Sequence, residues 1–225
     1  MKIISTKAIF SFLILFSFFS CERELEEPMQ TVGLDYISLR IGSQWEYEVS
    51  QTIYFGENDS EDSNFFYRDR IRTVFVNDAK EQVFIIQRSK SEDRSNWVKE
   101  KDYTLLVREG NIVRTIDNQP IVILIESIRD GATWDGNKYR SQNSDEFVAK
   151  RVGDTSSEIF QIEQEDSDDQ IPFRDIRYES YEKGIGMVEL YYEVLTYCSR
   201  NDCLGEQLID SGSKIHMKLL NYESE

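Results

Sequence analysis

Three cysteines, one histidine and 42 carboxylates are what this 225-residue chain has for chemistry. His216 is the natural candidate for a general base or a zinc ligand. It alternates with Ile215 and Met217, which turns it toward solvent on a strand, and neither G-x-S-x-G nor H-E-x-x-H occurs to supply a nucleophile or a second ligand. Paired carboxylates could hydrolyse glycosides, one proton-loaded and one ionised. The acids are spread over many segments, however, and no spacing singles out a pair. "ENDSED" from Glu57 and "DSDD" from Asp166 are oxygen-rich enough for calcium, yet neither has the glycine turn of an EF-hand loop, so solvated loops are expected. Gly184 and Gly186 in "KGIGMV" could cradle a phosphate, but no helical pattern follows to supply an amide-rich N-terminus. A strand bend or bulge is the expected role. The sequence therefore marks no catalytic residue, metal ligand or cofactor, and it does not identify ligand-binding residues.

The cysteines are more informative. Residues 1–7 are short and basic, and Ala8 to Phe19 is an uncharged apolar run of 12 residues ending at Ser20 and Cys21. At ~1.5 Å per residue that run is too short to cross a ~30 Å hydrocarbon core, so residues 1–20 read as a signal peptide. "FFSC" resembles a bacterial lipobox, which implies that Cys21 is the lipid attachment site and anchors the mature protein to a membrane. With Cys21 so used, Cys198 and Cys203 remain as an even pair around the turn-like "SRND", and a disulfide between them is expected. After Cys21 comes "ERELEEP", and residues 21–33 read as an acidic flexible tether. In Bacteroidota lipoproteins, acids just after the anchoring cysteine resemble the export signal for the outer face of the outer membrane. That resemblance implies an outer-membrane location, with the cell surface the first expectation and the periplasmic face the alternative.

Charge narrows the partners. The formal net charge is −16, and removal of residues 1–20 takes away Lys2 and Lys7 and brings it to −18. Such a surface repels polyphosphates, so no nucleic-acid partner is expected. Aromatic residues make up 12% of the chain and apolar residues fall in short regular runs, so residues 34–225 should fold as a single β domain.

The elements that must position any site follow a period of two. In "WEYEVSQTIYF", Trp45, Tyr47, Val49, Ile53 and Phe55 point one way and the polar residues the other. "GENDSEDSN" reads as a loop. "FFYRDRIRTVFV" and "VFIIQR" flank a turn at Asn77 and Asp78, and "DYTLLVR" and "NIVRTI" flank one at Glu109 and Gly110. "IVILIES" reads as a strand covered on both faces. Shorter runs, "EFVAKRV", "EIFQIEQ" and "FRDIRYESYE", precede "MVELYYEVLTYC" and "SKIHMKLL". Alternation puts Tyr191 and Tyr197 on one face and Tyr192 on the other. Any helix is short, around Asp35 to Arg40. The fold class expected is mainly β: a single antiparallel sheet, strongly curled into a partial or closed barrel, with Trp45, Tyr47, Trp134 and the apolar face of "IVILIES" filling it.

Two segments, "GSQWEYE" at Gly42 and "GATWDGN" at Gly131, echo one another and read as independent turns into strands. With a late K-G-I-G-x-V at Lys183 to Val188, these motifs resemble a group of uncharacterised Bacteroidota lipoproteins over most of the mature chain. The resemblance implies location and fold and carries no activity. The first functional expectation is a non-enzymatic, surface-tethered module for an unknown protein or glycan partner or an envelope assembly. The alternative is a carrier of a lipid or other apolar ligand in the curled sheet, and the third is a carboxylate-based hydrolase. A filled core would favour the first, an apolar cavity the second and converging carboxylates the third.

Overall fold

The computed structural model describes residues 35–57, 59–156 and 158–224; the expected signal peptide, Cys21 and the expected acidic tether lie outside them. Twelve strands form one antiparallel sheet: β1 (Gln44–Gly56), β2 (Asp59–Val76), β3 (Gln82–Ser91), β4 (Val98–Arg108), β5 (Asn111–Ile116), β6 (Gln119–Ile125), β7 (Thr133–Asp135), β8 (Glu146–Arg151), β9 (Ile159–Asp168), β10 (Phe173–Glu182), β11 (Gly186–Tyr197) and β12 (Ile209–Glu223). The order across the sheet is β6-β5-β4-β3-β2-β1-β12-β11-β10-β9-β8-β7. Neighbours in space are thus neighbours in sequence except where β1 pairs with β12. The fold is two six-stranded meanders joined along that ladder.

The chain itself forces the curl. β6 and β7 occupy opposite edges, yet only residues 126–132 connect them. A flat twelve-stranded sheet would hold its edges ~50 Å apart at ~4.8 Å per strand. Seven residues span at most about 28 Å, so the edges must come round toward each other. They meet at a narrow seam, where the Val122 amide of β6 donates to the Gly136 carbonyl just beyond β7 (2.9 Å). The Trp134 indole donates to the Val122 carbonyl (2.8 Å). The result is an almost closed barrel.

Local sequence explains the hairpins. Glu109 (φ 49°) and Gly110 (φ 74°) join β4 to β5, and Asp117 (φ 50°) and Asn118 (φ 60°) join β5 to β6. Both pairs have the two left-handed residues of a type I′ turn, whose twist matches that of the strands. Asn77 closes the β2–β3 turn, its side-chain oxygen accepting from the Glu81 amide (3.0 Å).

The structure corrects four expectations. Asp35 to Arg40 is not helical: the segment runs as turns and extended chain, held by a bond from the Gly184 amide to the Asp35 carbonyl (2.6 Å) and by Tyr36 edge-on to Phe160. The polar "GENDSEDSN" is mostly strand, because its register continues along β1 as far as the Gly56–Asp59 pair. Ile53 and Phe55 share the inward face of Val49 but are exposed, since β1, β2, β11 and β12 have 12 to 18 residues and β5 to β8 only 3 to 7.

Fourth, the two Gly-x-x-Trp turns are built alike. The Gly42 amide donates to the Ile71 carbonyl, the Ile71 amide to the Ser43 carbonyl and the Ser43 amide to the Arg40 carbonyl. The same three bonds run from Gly131 to Ala149, from Ala149 to Ala132 and from Ala132 to Arg129. The likeness extends over Ser-Leu-Arg-x-Gly-Ser-x-Trp-Glu from Ser38 and Ser-Ile-Arg-x-Gly-Ala-x-Trp-Asp from Ser127. Each turn opens one of the two six-stranded halves, so they are equivalent rather than independent.

Candidate functional site

The inward faces of β1, β3 to β6 and β10 to β12 enclose a cavity of about 200 Å³. Its wall is mainly apolar, with Trp45, Ile86, Leu105, Ile123, Leu190 and Met217 among its residues. The expectation of a filled barrel therefore fails at this point. Trp45 and Tyr47 line the space instead of filling it, and Trp134 is not part of its wall; it stands at the seam, edge-on to Phe147. Elsewhere the interior is packed by Ile71, Phe84, Ile112, Leu124 and Phe160.

Two of the sequence motifs hold each other here. The Trp45 indole donates to the Ile185 carbonyl (2.8 Å), and the Tyr47 hydroxyl to the Met187 carbonyl (3.2 Å). "KGIG" is the β10–β11 turn, and at Gly186 (φ 124°) a Cβ would stand 3.0 Å from the Trp45 indole nitrogen. Glycine lets the turn sit against the ring. In the middle motif, a Cβ on Gly136 would fall 2.5 Å from the Phe147 ring, which only glycine avoids.

The unexpected feature is charge inside the barrel. Arg88 of β3 grips Asp69 of β2 side-on (2.8 and 2.6 Å), and the Tyr103 hydroxyl of β4 donates to the same carboxylate (3.1 Å). Arg114 of β5 grips Glu179 of β10 end-on (3.0 and 2.6 Å), and the Tyr181 and Tyr192 hydroxyls donate to that carboxylate. Burial by itself would raise the Glu179 pKa; the Arg114 charge and the bonds from Arg114, Tyr181 and Tyr192 override it and hold it at about 2. Burial and the Asp69 and Glu179 charges raise Tyr103 and Tyr181. Arg88 and Arg114 line the cavity and keep 15% and 14% of their side-chain surface accessible.

Sequence reading missed these four charged residues, although a signal was present. Each occupies an inward position with an apolar or aromatic neighbour two residues away on at least one side: Ile86 then Arg88, Ile112 then Arg114 then Ile116, Tyr67 then Asp69 then Ile71, and Glu179 then Tyr181. A charge at such a position needs a partner, and here each has one.

The predicted residues fall elsewhere. His216 is on the outer face of β12, its Nε2 2.7 Å from Glu189 and its ring edge-on to Tyr191. Tyr191 stacks on Tyr178 outside while Tyr192 lines the cavity, as alternation predicts. Cys198 and Cys203 are bonded to each other in the β11–β12 loop. Among the described residues, the one cluster with ligand-like spacing is Cys198, Asp202 and Cys203, and its sulfurs are already joined. Cys21 lies outside the described residues.

No family model matches the chain. No curated protein matches it. Among the solved structures similar to it are two from Bacteroidales. A Bacteroides fragilis protein, named for its supposed export and a YmcC-like fold, is 10% identical, with 82% of this chain and 97% of that chain covered and a TM-score of 0.44. A Parabacteroides distasonis protein named as a candidate lipoprotein is also 10% identical, with 84% and 98% covered and a TM-score of 0.41.

Proposed function

We propose that the chain is a lipid-anchored outer-membrane protein, facing the cell surface, whose barrel holds a small apolar ligand and performs no chemistry on it. The cavity carries this reading. Its mainly apolar wall suits an apolar body, and its position inside a barrel with its own packed core means that the space is not a gap between loosely fitted elements. The signal sequence and the lipobox-like "FFSC" support the anchor, and the acids after Cys21 support the surface location. Against an enzyme stand the two interior carboxylates. Each is neutralised by an arginine, and Glu179 with a pKa of about 2 holds no proton to donate near neutral pH.

A second reading, docking of a protein or glycan partner, rests on a different feature. The inward face continues past the barrel as Ile53 and Phe55 on β1, Val194 on β11 and Phe173 on β10, all exposed, Phe55 by 60%. A partner could cover this strip.

The test is extraction of the protein from its native envelope, followed by mass spectrometry of whatever it releases. We expect a stoichiometric small molecule from the wild type and none from Ile215→Trp, which puts a larger side chain into the cavity wall. An empty wild-type barrel would overturn the ligand-holding reading and leave the partner strip.

A further inference from the structure

We infer that the cavity selects an uncharged ligand: a short alkyl chain or ring carrying one hydrogen-bond acceptor, such as a hydroxyl, ester or amide oxygen. This rests on the ligand-holding reading and specifies what is held.

Size sets the first limit. A cavity of ~150 Å³ holds benzene, so about 200 Å³ has room for on the order of eight non-hydrogen atoms. Charge sets the second. The charges at the cavity are Arg88 and Arg114 in its wall and the carboxylates bonded to them, Asp69 and Glu179, which sum to zero. Two lysines of β3 and β4 are also matched, Lys90 with Glu92 (3.7 Å) and Lys101 with Asp117 (3.5 Å). An ionised ligand would lose its hydration and find no uncompensated opposite charge.

Hydrogen bonding sets the third. Asp69 accepts two bonds from Arg88 and one from Tyr103, and Glu179 accepts two from Arg114 and one each from Tyr181 and Tyr192. The carboxylates are thus occupied. The Tyr47 hydroxyl is committed as a donor to the Met187 carbonyl. A guanidinium has five N–H groups, however, and each of these uses only two on its carboxylate. Among the described residues no acceptor meets the others, and both side chains keep accessible surface in the cavity wall. The site offers donors without net charge, and an uncharged acceptor is its complement.

The experiment uses the chain from Glu22, which contains every described strand. Calorimetric titration at pH 8 with 1-hexanol, hexanoate and hexylammonium, all within that size limit, compares one chain with three heads. We expect 1-hexanol to bind and each ion to bind at least about tenfold more weakly. Glu179→Gln removes one negative charge and leaves Arg114 uncompensated, so the preference for hexanol over hexanoate should shrink by about tenfold or reverse. Should that variant not fold, Asp69→Asn makes the same change beside Arg88. Hexanoate binding the wild type as tightly as hexanol would overturn the charge selection while leaving the ligand-holding barrel. No binding by any of the three, together with nothing released from the native protein, would overturn both.

Discussion

Arg114 and Glu179 meet head to head across the barrel, nitrogen to oxygen at 2.6 and 3.0 Å, although their strands are five steps apart even by the shorter way round through the seam. The pair ties one six-stranded half to the other through the interior. Removing only the acid, as in Glu179→Leu, leaves a buried guanidinium and two tyrosine hydroxyls without their acceptor, and we expect a loss of roughly 3–5 kcal/mol. The double variant Arg114→Met, Glu179→Leu should cost clearly less than the two single changes added together. Urea melts of the four proteins give the coupling, and simple additivity would show that the pair is not a strut.

The same carboxylate sets a pH response. Its folded pKa of about 2 lies below the ordinary 4.5, so its stabilisation is complete above about pH 4.5 and fades as the pH falls toward 2. Glu81, held at about 2 by its bonds to Arg108 and Asn77, fades in the same window. Comparison with Glu179→Gln separates them: the variant's unfolding free energy should fall less steeply between pH 4.5 and 2. Parallel curves would assign the acid sensitivity to surface pairs.

Much of the fold was legible in the sequence. Alternation marked the runs that became β3, β5, β8 and β11, an unbroken β-branched run marked β6, and glycine and asparagine marked the turns. What could not be read was which strand pairs with which beyond the hairpins, and hence which inward residues face one another. Arg114 and Glu179 are 65 positions apart, and only closure brings them together. The cavity was illegible for a related reason: the bulk of Trp45 and Tyr47 suggested filling, but their polar ends are drawn to the Ile185 and Met187 carbonyls at the wall. Trp134 was placed inside by its type, whereas β7 is a three-residue edge strand and its indole serves the seam.

Trp134→Ala should therefore cost about 2–3 kcal/mol, below the ~3–5 typical of a fully buried large aromatic, because the ring is only partly buried. The distinctive readout is local. Hydrogen exchange should quicken at the Val122 amide of the seam and stay unchanged at Val49 in β1. Equal acceleration at both would mean that the residue supports the whole barrel.

Reduction of the Cys198–Cys203 bond should loosen the β11–β12 loop without unfolding the sheet. Closing so short a loop contributes about 2 kcal/mol on the chain-entropy estimate. Thiol alkylation after mild reduction, with circular dichroism recorded alongside, checks this; loss of the strand signal on reduction would contradict it.

The anchor is tested by Cys21→Ser, which should move the protein out of the membrane fraction. Intact-mass measurement of the wild type should show acylation at Cys21, and a free N-terminal amine on unmodified cysteine would refute the anchor.

The β1–β12 ladder, with Gln44 opposite Glu223, also governs the order of assembly. Every other ladder can form between strands adjacent in the chain, each needing only a short loop to close. The β1–β12 ladder must instead wait for the first and last strands to find each other, which makes it the slow, topology-limited step. It also places the start of β1 beside the end of β12, so a short linker from Glu223 to the residues before Gln44 and a cut within residues 126–132 would give a permuted chain running from β7 through β12 and β1 to β6. Every ladder in that chain would be local, so it should fold faster than the natural one, and with the 126–132 connection cut its closure would rest on contacts across the seam, such as the Val122–Gly136 bond, and on the Arg114–Glu179 pair.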